Sequence, residues 1–274
     1  MPSATNSSLS ERLAMVKREE LPAVAASFAY FFCLLCGYYV LRPVRDEMGI
    51  QAGLGNLPWL FTATLGAMLV AVPVFGWLSS KFPRRTLLPG IYLFFALNLL
   101  AFYFLFSRGI AVGDTAKVFF VWVSVFNLFV VSVFWSFMAD LFSTQQAKRT
   151  YGLIAAGGSV GAICGPALSA ILAKPLGVAN LLLISAVFLL GAVACIVYLG
   201  GWAKGREKRE DKRAMAMGGG IWEGVKLVLT SRYLLAICGF VLLYSSLSTF
   251  LYFQQQHIVA AAYTDPGKRT ALFA

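Results

Sequence analysis

The sequence Tyr-Tyr-Val-Leu-Arg-Pro-Val-Arg-Asp-Glu-Met-Gly occupies residues 38–49, at the end of a long apolar run. That run, Leu21 to Leu41, holds 21 residues without a charge, which is long enough for a helix to cross a bilayer. Four charged residues then follow within six positions, namely Arg42, Arg45, Asp46 and Glu47. Charge at the end of a membrane helix, or inside a helical bundle, is costly unless it is paired or used. The stretch therefore predicts a transmembrane helix with a candidate site at its end.

The geometry of this stretch depends on Pro43. In a continuous helix Arg42 and Asp46 lie four residues apart and face each other, so the spacing predicts an ion pair. Proline lacks a backbone donor and leaves the carbonyl of Tyr39 without its usual partner. We therefore expect the helix either to stop near Leu41 or to kink there. Both outcomes expose polar backbone beside two guanidinium groups, which suit the binding of phosphate or carboxylate.

A second interpretation of the same charges is a membrane anchor. Long basic side chains at a helix end commonly extend to the lipid head groups, and charged flanks are frequent on membrane helices. The stretch alone does not decide between an anchor and a binding site, so the choice depends on the rest of the chain.

The composition indicates an all-α polytopic membrane protein. Of the 274 residues, 59% are hydrophobic and 13% are charged, whereas a soluble domain carries about 25% charged residues. The net charge of +11 does not indicate a nucleic-acid partner, because the basic residues fall in short segments between apolar runs. The first 20 residues are polar, with no evident cleavable signal, and we interpret them as a mobile tail.

The sequence contains no pattern typical of a metal site or an enzyme active site. All five cysteines lie inside apolar stretches, where we interpret them as small packing residues, and the single histidine is His257. No nucleophile–base pair is found at a suitable spacing. We therefore expect no metal, no cofactor and no enzymatic activity.

Seven membrane spans can be drawn along the chain. They cover residues 21–41, 57–78, 86–106, 118–141, 151–173, 178–199 and 233–253. With the N-terminus in the cytoplasm, 16 of the 23 basic residues fall on the inner side, as the positive-inside rule requires. This orientation places the charged stretch at the outer side or in an outward-facing cavity, and we expect the membrane to be a bacterial inner membrane.

The chain divides into four regions. Residues 1–20 form a cytoplasmic tail, residues 21–199 a six-helix bundle, residues 200–232 a basic cytoplasmic linker, and residues 233–274 the start of a second bundle. We interpret Asp265 to Arg269 as a loop and the final residues as the beginning of an eighth span. A chain of about twelve spans is expected, because repeat transporters enclose their site between two halves.

Polar residues inside spans four and seven are further candidates. Asn127 and Asp140 are thirteen residues apart, which places them roughly 140° from each other around a helix. Asn127 either contacts a solute or bonds a neighbouring helix, and Asp140 pairs with Lys148 or Arg149. Gln254, in the run Gln-Gln-Gln-His of residues 254–257, either contacts a solute or lies at a solvated helix end.

Two further motifs concern how helices pack and move. In span five, glycines recur every four residues and a proline follows them: Gly157, Gly161, Gly165 and Pro166. Such a stripe allows the backbone of a neighbouring helix to approach closely. After span two, residues 76–85 read Gly-Trp-Leu-Ser-Ser-Lys-Phe-Pro-Arg-Arg, a short basic hairpin that by itself needs no role beyond fixing topology.

These features together resemble the N-terminal half, plus one span, of a major facilitator superfamily transporter. The hairpin fits the signature loop of that family at four positions, Gly76, Lys81, Arg84 and Arg85, while Ser80 and Pro83 replace its acidic residue and second glycine. The glycine–proline run is similar to the motif of fifth helices in facilitator-type antiporters. The resemblance implies that the hairpin holds neighbouring helices together during the conformational cycle, and that spans one, four and seven line the cavity.

The run from Leu41 to Asp46 resembles a narrower group, the ATP:ADP and nucleotide exchange carriers of plastids and intracellular bacteria, with related bacterial proteins. In those carriers a basic residue at the position of Arg45 engages substrate phosphate, and arginine replaces their usual lysine here. They also hold an acidic residue within span four, where this sequence has none before Asp140.

The leading hypothesis is a secondary active transporter of a small anionic solute, a nucleotide or another anion, which works by alternating access. Arg42 and Arg45 bind the anionic group, and Asp46 or Glu47 neutralises them in the empty site or binds a coupled proton. The expected partners are the solute, that proton and the lipid bilayer. The alternatives are a membrane sensor or scaffold that transports nothing and, third, a membrane enzyme.

Overall fold

The computed structural model describes residues 18–81, 84–204 and 229–274, without the side chains of residues 79, 80, 84–86 and 204. Within these ranges the regular structure is entirely helical. The α-helices in chain order are α1 Leu21–Gln51, α2 Leu57–Lys81, α3 Arg84–Ser107, α4 Val112–Leu141, α5 Thr144–Leu176, α6 Asn180–Lys204, α7 Arg232–Ala262 and α8 Pro266–Phe273. A short 3-10 turn at Leu54–Asn56 joins α1 to α2.

Seven of the described helices are long and apolar enough to span a membrane, which confirms the predicted number. Several of them run well past the predicted bounds, and α1 shows the largest difference. It continues through Pro43 and on to Gln51, so of the two predicted outcomes the stop near Leu41 is wrong, and the kink stays a prediction. Hydropathy detects only the apolar middle of a helix, whereas the helical backbone hydrogen bonds continue into the polar residues at its ends. The predicted bounds are therefore too short. At 31 residues, α1 is about 46 Å long.

Helix α1 is the centre of the first bundle, because α4, α5 and α6 all pack against it. Two serines of these neighbours donate hydrogen bonds to its backbone: Ser169 Oγ to the Val40 carbonyl at 3.0 Å and Ser185 Oγ to the Gly37 carbonyl at 2.9 Å. Both acceptors lie shortly before Pro43. These bonds fix the two helices against the part of α1 that leads into the charged stretch.

The glycine stripe of α5 packs on α1, as the sequence predicts. A Cβ placed on Gly161 would lie 2.6 Å from the Phe32 carbonyl oxygen, and one on Gly165 would lie 2.8 Å from the Cys36 carbonyl oxygen. A Cβ on Gly157 would collide with the Phe28 carbonyl. Pro166 follows inside α5 without ending the helix. The two helices therefore touch backbone to backbone, which only glycine permits.

The opposite end of α1 is fixed to α5 by polar contacts. Gln146 Nε2 donates to Glu20 Oε1 at 2.9 Å, and Arg149 lies 3.3 Å from the same oxygen. Ser143 caps α5 with a reciprocal bond to Gln146, so the position of Gln146 is itself fixed. Arg149, which the sequence offered as a partner of Asp140, is thus engaged by Glu20; the Asp140 pairing stays a prediction.

Helix α7 meets the first bundle near its own C-terminal end. Most of its side chains before Tyr252 are exposed, while the Phe61 ring of α2 lies 5.5 Å from the Tyr252 ring and 5.3 Å from the Phe253 ring. Helix α8 packs along α5 and α1 at the same end. Asp265 caps α8 by accepting from the Lys268 amide at 2.7 Å. The interpretation of Asp265 to Arg269 as a loop is therefore wrong.

Of the four predicted regions, the linker of residues 200–232 lies largely outside the described residues, as does most of the tail of residues 1–20. Helix α6 continues to Lys204 and α7 begins at Arg232, so both helices include residues that were predicted to belong to the linker.

Candidate functional site

The charged stretch forms a compact network at the C-terminal end of α1. Because α1 continues as a helix, Arg45 is carried on the turn after Pro43, and its side chain reaches the neighbouring Asp46. Arg45 Nη2 and Nε donate to Asp46 Oδ1 at 2.9 and 3.1 Å. The predicted Arg42–Asp46 pair is not formed. Adjacent residues point about 100° apart around a helix, but the long guanidinium side chain spans this difference.

Asp46 also bonds to α7, through the same oxygen. Tyr252 donates its hydroxyl hydrogen to Asp46 Oδ1 at 2.9 Å. One carboxylate oxygen therefore accepts from the guanidinium of α1 and from the phenol of α7. Any change in how Arg45 engages Asp46 must alter the contact between the two helices.

Two aromatic rings, one on α4 and one on α7, lie close to the Arg45 guanidinium. Its central carbon is 5.0 Å from the centre of the Phe120 ring of α4 and 6.0 Å from that of Tyr252. Both distances are in the range of cation–π attraction. The side chain is 18% exposed, and Nη1 has no hydrogen-bond partner among the described residues. This open edge of the guanidinium suits a planar anion.

Glu47 forms a separate ion pair with α8. Arg269 Nε and Nη2 each donate at 2.7 Å to a different oxygen of Glu47, and Gln51 Nε2 donates to Oε1 at 2.9 Å. The Glu47 side chain is 0% exposed and that of Arg269 is 11% exposed. The hydrogen bond to Glu47 raises the pKa of Arg269 against the opposing effect of burial, so the guanidinium stays charged.

Arg42 lies apart from both ion pairs. Its side chain is exposed, and its central carbon is 5.9 Å from the centre of the Tyr39 ring. In the described part of the chain Arg42 has no ion pair. Asp46 thus neutralises Arg45 and not Arg42. Glu47 was predicted to neutralise these two arginines, but it pairs with Arg269 instead.

The two predicted amide residues take different positions. Asn127 is half-buried on α4, seven residues after Phe120, and so lies on the same face about 10.5 Å further along the axis. It is therefore near the network without touching it. Gln254 is exposed and lies two residues, or about 200°, from Tyr252. It points away from the face of α7 that contacts α1.

Two residues of the network, Tyr252 and Arg269, were missed by the sequence argument. Gln256 belongs to the amide run of residues 254–257 that the sequence offered as a solute contact or a solvated helix end, and it has no hydrogen-bond partner among the described residues. Gln256, one turn after Tyr252, is fully buried. Tyr252 and Gln256 stand beside the predicted Gln254, and the amphipathic spacing of α7 could have separated the two faces. No local signal pairs Glu47 with Arg269, because 222 residues separate them in the chain.

The basic hairpin after α2 is only partly described. Lys81 Nζ lies 4.9 Å from the centre of the Trp77 ring, and a Cβ placed on Gly76 would meet nothing within 4 Å. Phe82 and Pro83, and the side chains of Ser80, Arg84 and Arg85, lie outside the described residues. The role of this hairpin in the conformational cycle stays a prediction.

Across residues 18–81, 84–204 and 229–274, no group of three or more His, Cys, Asp or Glu side chains is placed to hold a metal ion. The network consists instead of paired charges and aromatic rings.

Comparison with known families identifies one match. The family model described as Major Facilitator Superfamily matches residues 6–264, which is most of the chain. No curated protein and no solved structure gives a significant match.

Proposed function

This chain belongs to the major facilitator superfamily, a family of membrane transporters, and on that premise we propose that it carries a small anionic solute by alternating access. The observation that supports the anionic class is Arg45, a guanidinium held by aromatic rings inside a membrane-spanning helix. A charge at such a position is costly unless it is paired or used. Asp46 pairs with Arg45 through a single oxygen, and we propose that a transported anion takes over part of this pairing.

The solute and Asp46 compete for Arg45 in this mechanism. In the structure Asp46 neutralises the guanidinium. An anion that binds the open edge of Arg45 takes over part of that role and weakens the bonds to Asp46 Oδ1. Because Tyr252 donates to the same oxygen, solute binding changes the contact between α1 and α7. This coupling is what alternating access requires.

Arg42 is the second positive group of the proposed site. It is exposed within a membrane-spanning helix, where contact with lipid tails is far more costly than contact with a water-filled cavity. We therefore place Arg42 in the cavity, on the solute's path to Arg45. Asn127 lies on the α4 face that also carries Phe120, and we assign it to the same cavity as a hydrogen-bonding side chain.

Helices α7 and α8 supply the moving contacts. They meet α1 at its C-terminal end, through Tyr252 and Arg269, while most α7 side chains before Tyr252 are exposed. This arrangement supports contacts between the first bundle and the start of the second at the C-terminal end of α1. With the N-terminus in the cytoplasm, this end is the outer one.

Two finer assignments follow from the resemblance of residues 41–46 to nucleotide exchange carriers. The first is that the anion is a nucleotide, bound by its phosphate at Arg45. The second is that a coupled proton binds Asp46 or Glu47 if transport is proton-driven. Protonated Glu47 would lose its charge-assisted bonds to Arg269, which would release α8 from α1.

The alternative is a membrane protein that transports nothing and acts as a sensor or scaffold. Such a protein needs no exchangeable anion at Arg45, so measurement of transport separates the two hypotheses.

The test uses the full-length protein in proteoliposomes loaded with unlabelled ATP, ADP or phosphate. Uptake of the corresponding labelled compound is followed with and without a pH gradient. Uptake that needs internal nucleotide and ignores the gradient supports nucleotide exchange. Uptake of phosphate alone, or uptake driven by the gradient, supports another anion or proton coupling. No uptake of these or of a wider set of anions contradicts the transport proposal and favours the sensor or scaffold.

A further inference from the structure

An apolar cavity lies between α2 and α3, with α4 as its floor. Helix α2 packs mainly on α4 and leaves a space of about 940 Å³ beside α3, which we call the lower cavity. The described residues that line it are all apolar or glycine. Val70 on the α2 wall and Phe94 on the α3 wall are exposed, so the lower cavity is open at the surface of the bundle.

A second cavity, the upper cavity, lies between the N-terminal ends of α2 and α4. Its volume is about 560 Å³, and Trp122 lines both cavities, so the two adjoin at this side chain. The upper cavity has the polar groups that the lower one lacks, on Asn56, Trp59 and Lys117. Trp59 is exposed, and tryptophan on a membrane helix prefers the interface with water. The upper cavity therefore lies at the level of the lipid head groups.

Lys117 supplies the positive charge at this level. Among the described residues that line the two cavities it is the only charged one. Its Nζ lies 2.9 Å from Asp114 Oδ1, but the two side chains are 41% and 82% exposed. An ion pair as exposed as this contributes little to stability, so the ammonium group is available to a phosphate at little cost.

Distances along α4 match the dimensions of one lipid leaflet. Trp122 lies five residues after Lys117, which is about 7.5 Å along the helix axis, and Phe129, the last α4 residue of the lower cavity, is about 18 Å from Lys117. One leaflet contributes about 15 Å of hydrocarbon. An acyl chain whose head group lies beside Lys117 therefore reaches the lower cavity past Trp122.

The opening of the lower cavity faces away from α7. Phe61 of α2 contacts the rings of Tyr252 and Phe253 on α7. Val70 follows Phe61 by nine residues, which places it about 180° away around α2. Helix α7 is the predicted start of the second bundle, so this geometry favours lipid over a helix of that bundle as the occupant.

We propose that the two cavities bind one anionic phospholipid, whose phosphate contacts Lys117 and whose acyl chain fills the space between α2 and α3. An empty cavity would deprive its walls of van der Waals contacts, and inside a bilayer the group at hand to fill it is an acyl chain. Lipid tails are as apolar as the cavity walls, so the contact with the head group sets the preference among lipids. The inference does not depend on which solute is carried.

The bound lipid would support α2 from the side opposite to α7. Because α2 carries Phe61 against Tyr252 and Phe253, a lipid in the lower cavity holds one of the contacts between the first bundle and α7 in place.

The test measures lipid binding to purified, delipidated full-length protein in detergent by native mass spectrometry. Phosphatidylglycerol and phosphatidylcholine with identical acyl chains are titrated separately. Lys117→Gln removes the charge, and Lys174→Gln is its control, because Lys174 is an exposed lysine in the last turn of α5. Circular dichroism and the unfolding temperature verify that each variant is folded.

A second pair of variants tests the lower cavity. Gly66 lines this cavity, and a Cβ placed on it meets nothing within 4 Å, so the side chain of Gly66→Leu would occupy the place of the acyl chain. Gly201→Leu is the control, because Gly201 is an exposed glycine of α6 whose added Cβ also meets nothing within 4 Å. Should Gly66→Leu fail to fold, Gly90→Leu tests the opposite wall.

We expect the wild type to bind its first phosphatidylglycerol about fivefold more tightly than its first phosphatidylcholine, as one lysine near a lipid surface implies. Lys117→Gln abolishes this preference and Lys174→Gln keeps it. Gly66→Leu abolishes the tight first binding step of both lipids, whereas Gly201→Leu keeps it.

Three results would overturn the inference. Equal binding of the two lipids by the wild type, or a preference that persists in Lys117→Gln, shows that Lys117 does not hold the head group. A tight first binding step that persists in Gly66→Leu shows that the acyl chain lies elsewhere. Absence of any tight lipid from the wild type shows that another part of the protein fills the two cavities.

Discussion

Asp46 and Glu47 are adjacent in the sequence and have different partners. Asp46 bonds to Arg45 of its own helix and to Tyr252 of α7, while Glu47 is buried against Arg269 of α8. A helix turns about 100° per residue, so two neighbouring carboxylates face two different elements. Asp46 thereby joins α1 to α7, and Glu47 joins α1 to α8.

Replacement of Arg269 by methionine should destabilise the protein strongly. The Glu47 carboxylate is fully buried, and without Arg269 it would remain as an unpaired charge. Breaking a buried pair on one side costs about 3–5 kcal/mol. We expect a large fall in the unfolding temperature in detergent.

Lys268→Met is the matched control, because Lys268 is the exposed basic neighbour of Arg269. The double variant Glu47→Leu with Arg269→Met should recover part of the stability, since it leaves no unpaired charge. An unfolding temperature for Arg269→Met equal to that of Lys268→Met would contradict the structural role of the pair.

The packing of α5 on α1 determines where the charged stretch lies. The stripe of glycines brings the two backbones together just before Pro43, and Ser169 adds a hydrogen bond to the α1 backbone. Because these contacts involve backbone atoms, we expect α1 and α5 to move together. Under the proposed mechanism, the Arg45 region then shifts relative to α7 without a bend between α1 and α5.

Gly161→Ala should destabilise this packing. The added Cβ would lie 2.6 Å from the Phe32 carbonyl oxygen and 2.9 Å from the Cys36 amide nitrogen, so the helices must separate. Overpacking of this kind costs about 1–3 kcal/mol. The measurement is the free energy of unfolding in detergent.

Gly76→Ala provides the comparison, because a Cβ at Gly76 meets nothing within 4 Å. Alanine is the better helix former, so this variant should be neutral or slightly more stable. Equal stability of the two variants would show that α5 does not pack on α1 through Gly161.

At the scale of the whole molecule, the predicted orientation can be tested at the two ends of α4. Ser107 and Thr144 are exposed residues on either side of that helix. With a cytoplasmic N-terminus, a cysteine at position 107 should react with an impermeant thiol reagent added outside cells, and one at position 144 should not. Reaction at position 144 and not at position 107 would show that the N-terminus lies outside the cell, which contradicts the predicted orientation.

The membrane class and the seven spans could be predicted from the sequence, because apolar length and the spacing of basic loops are local properties. The glycine stripe was also predictable, since small residues every four positions leave one helix face smooth. The end of α1 at Gln51 could not be predicted from the sequence. A proline removes one backbone hydrogen bond, but a membrane helix tolerates this loss where neighbouring helices support its backbone.

The candidate site was predicted in part. Arg45 and Asp46 were found as a charged stretch, but their pairing was assigned to Arg42 by helical spacing alone. Arg269 was missed because its segment was interpreted as a loop, and only the fold brings it to Glu47. Long-range partners of this kind leave no periodic signal in the sequence.

The central claim is that Arg45 binds the transported anion, and the most direct measurement is uptake by the Arg45→Ala variant. It uses full-length protein in proteoliposomes and the labelled anion that the wild type carries. The control is Arg108→Ala, because Arg108 also lies over an aromatic ring, at 5.0 Å from the centre of the Phe104 ring, and is an exposed residue after α3. We expect Arg45→Ala to insert normally and to lose transport, while Arg108→Ala retains it. Transport by Arg45→Ala at the wild-type rate would contradict the claim.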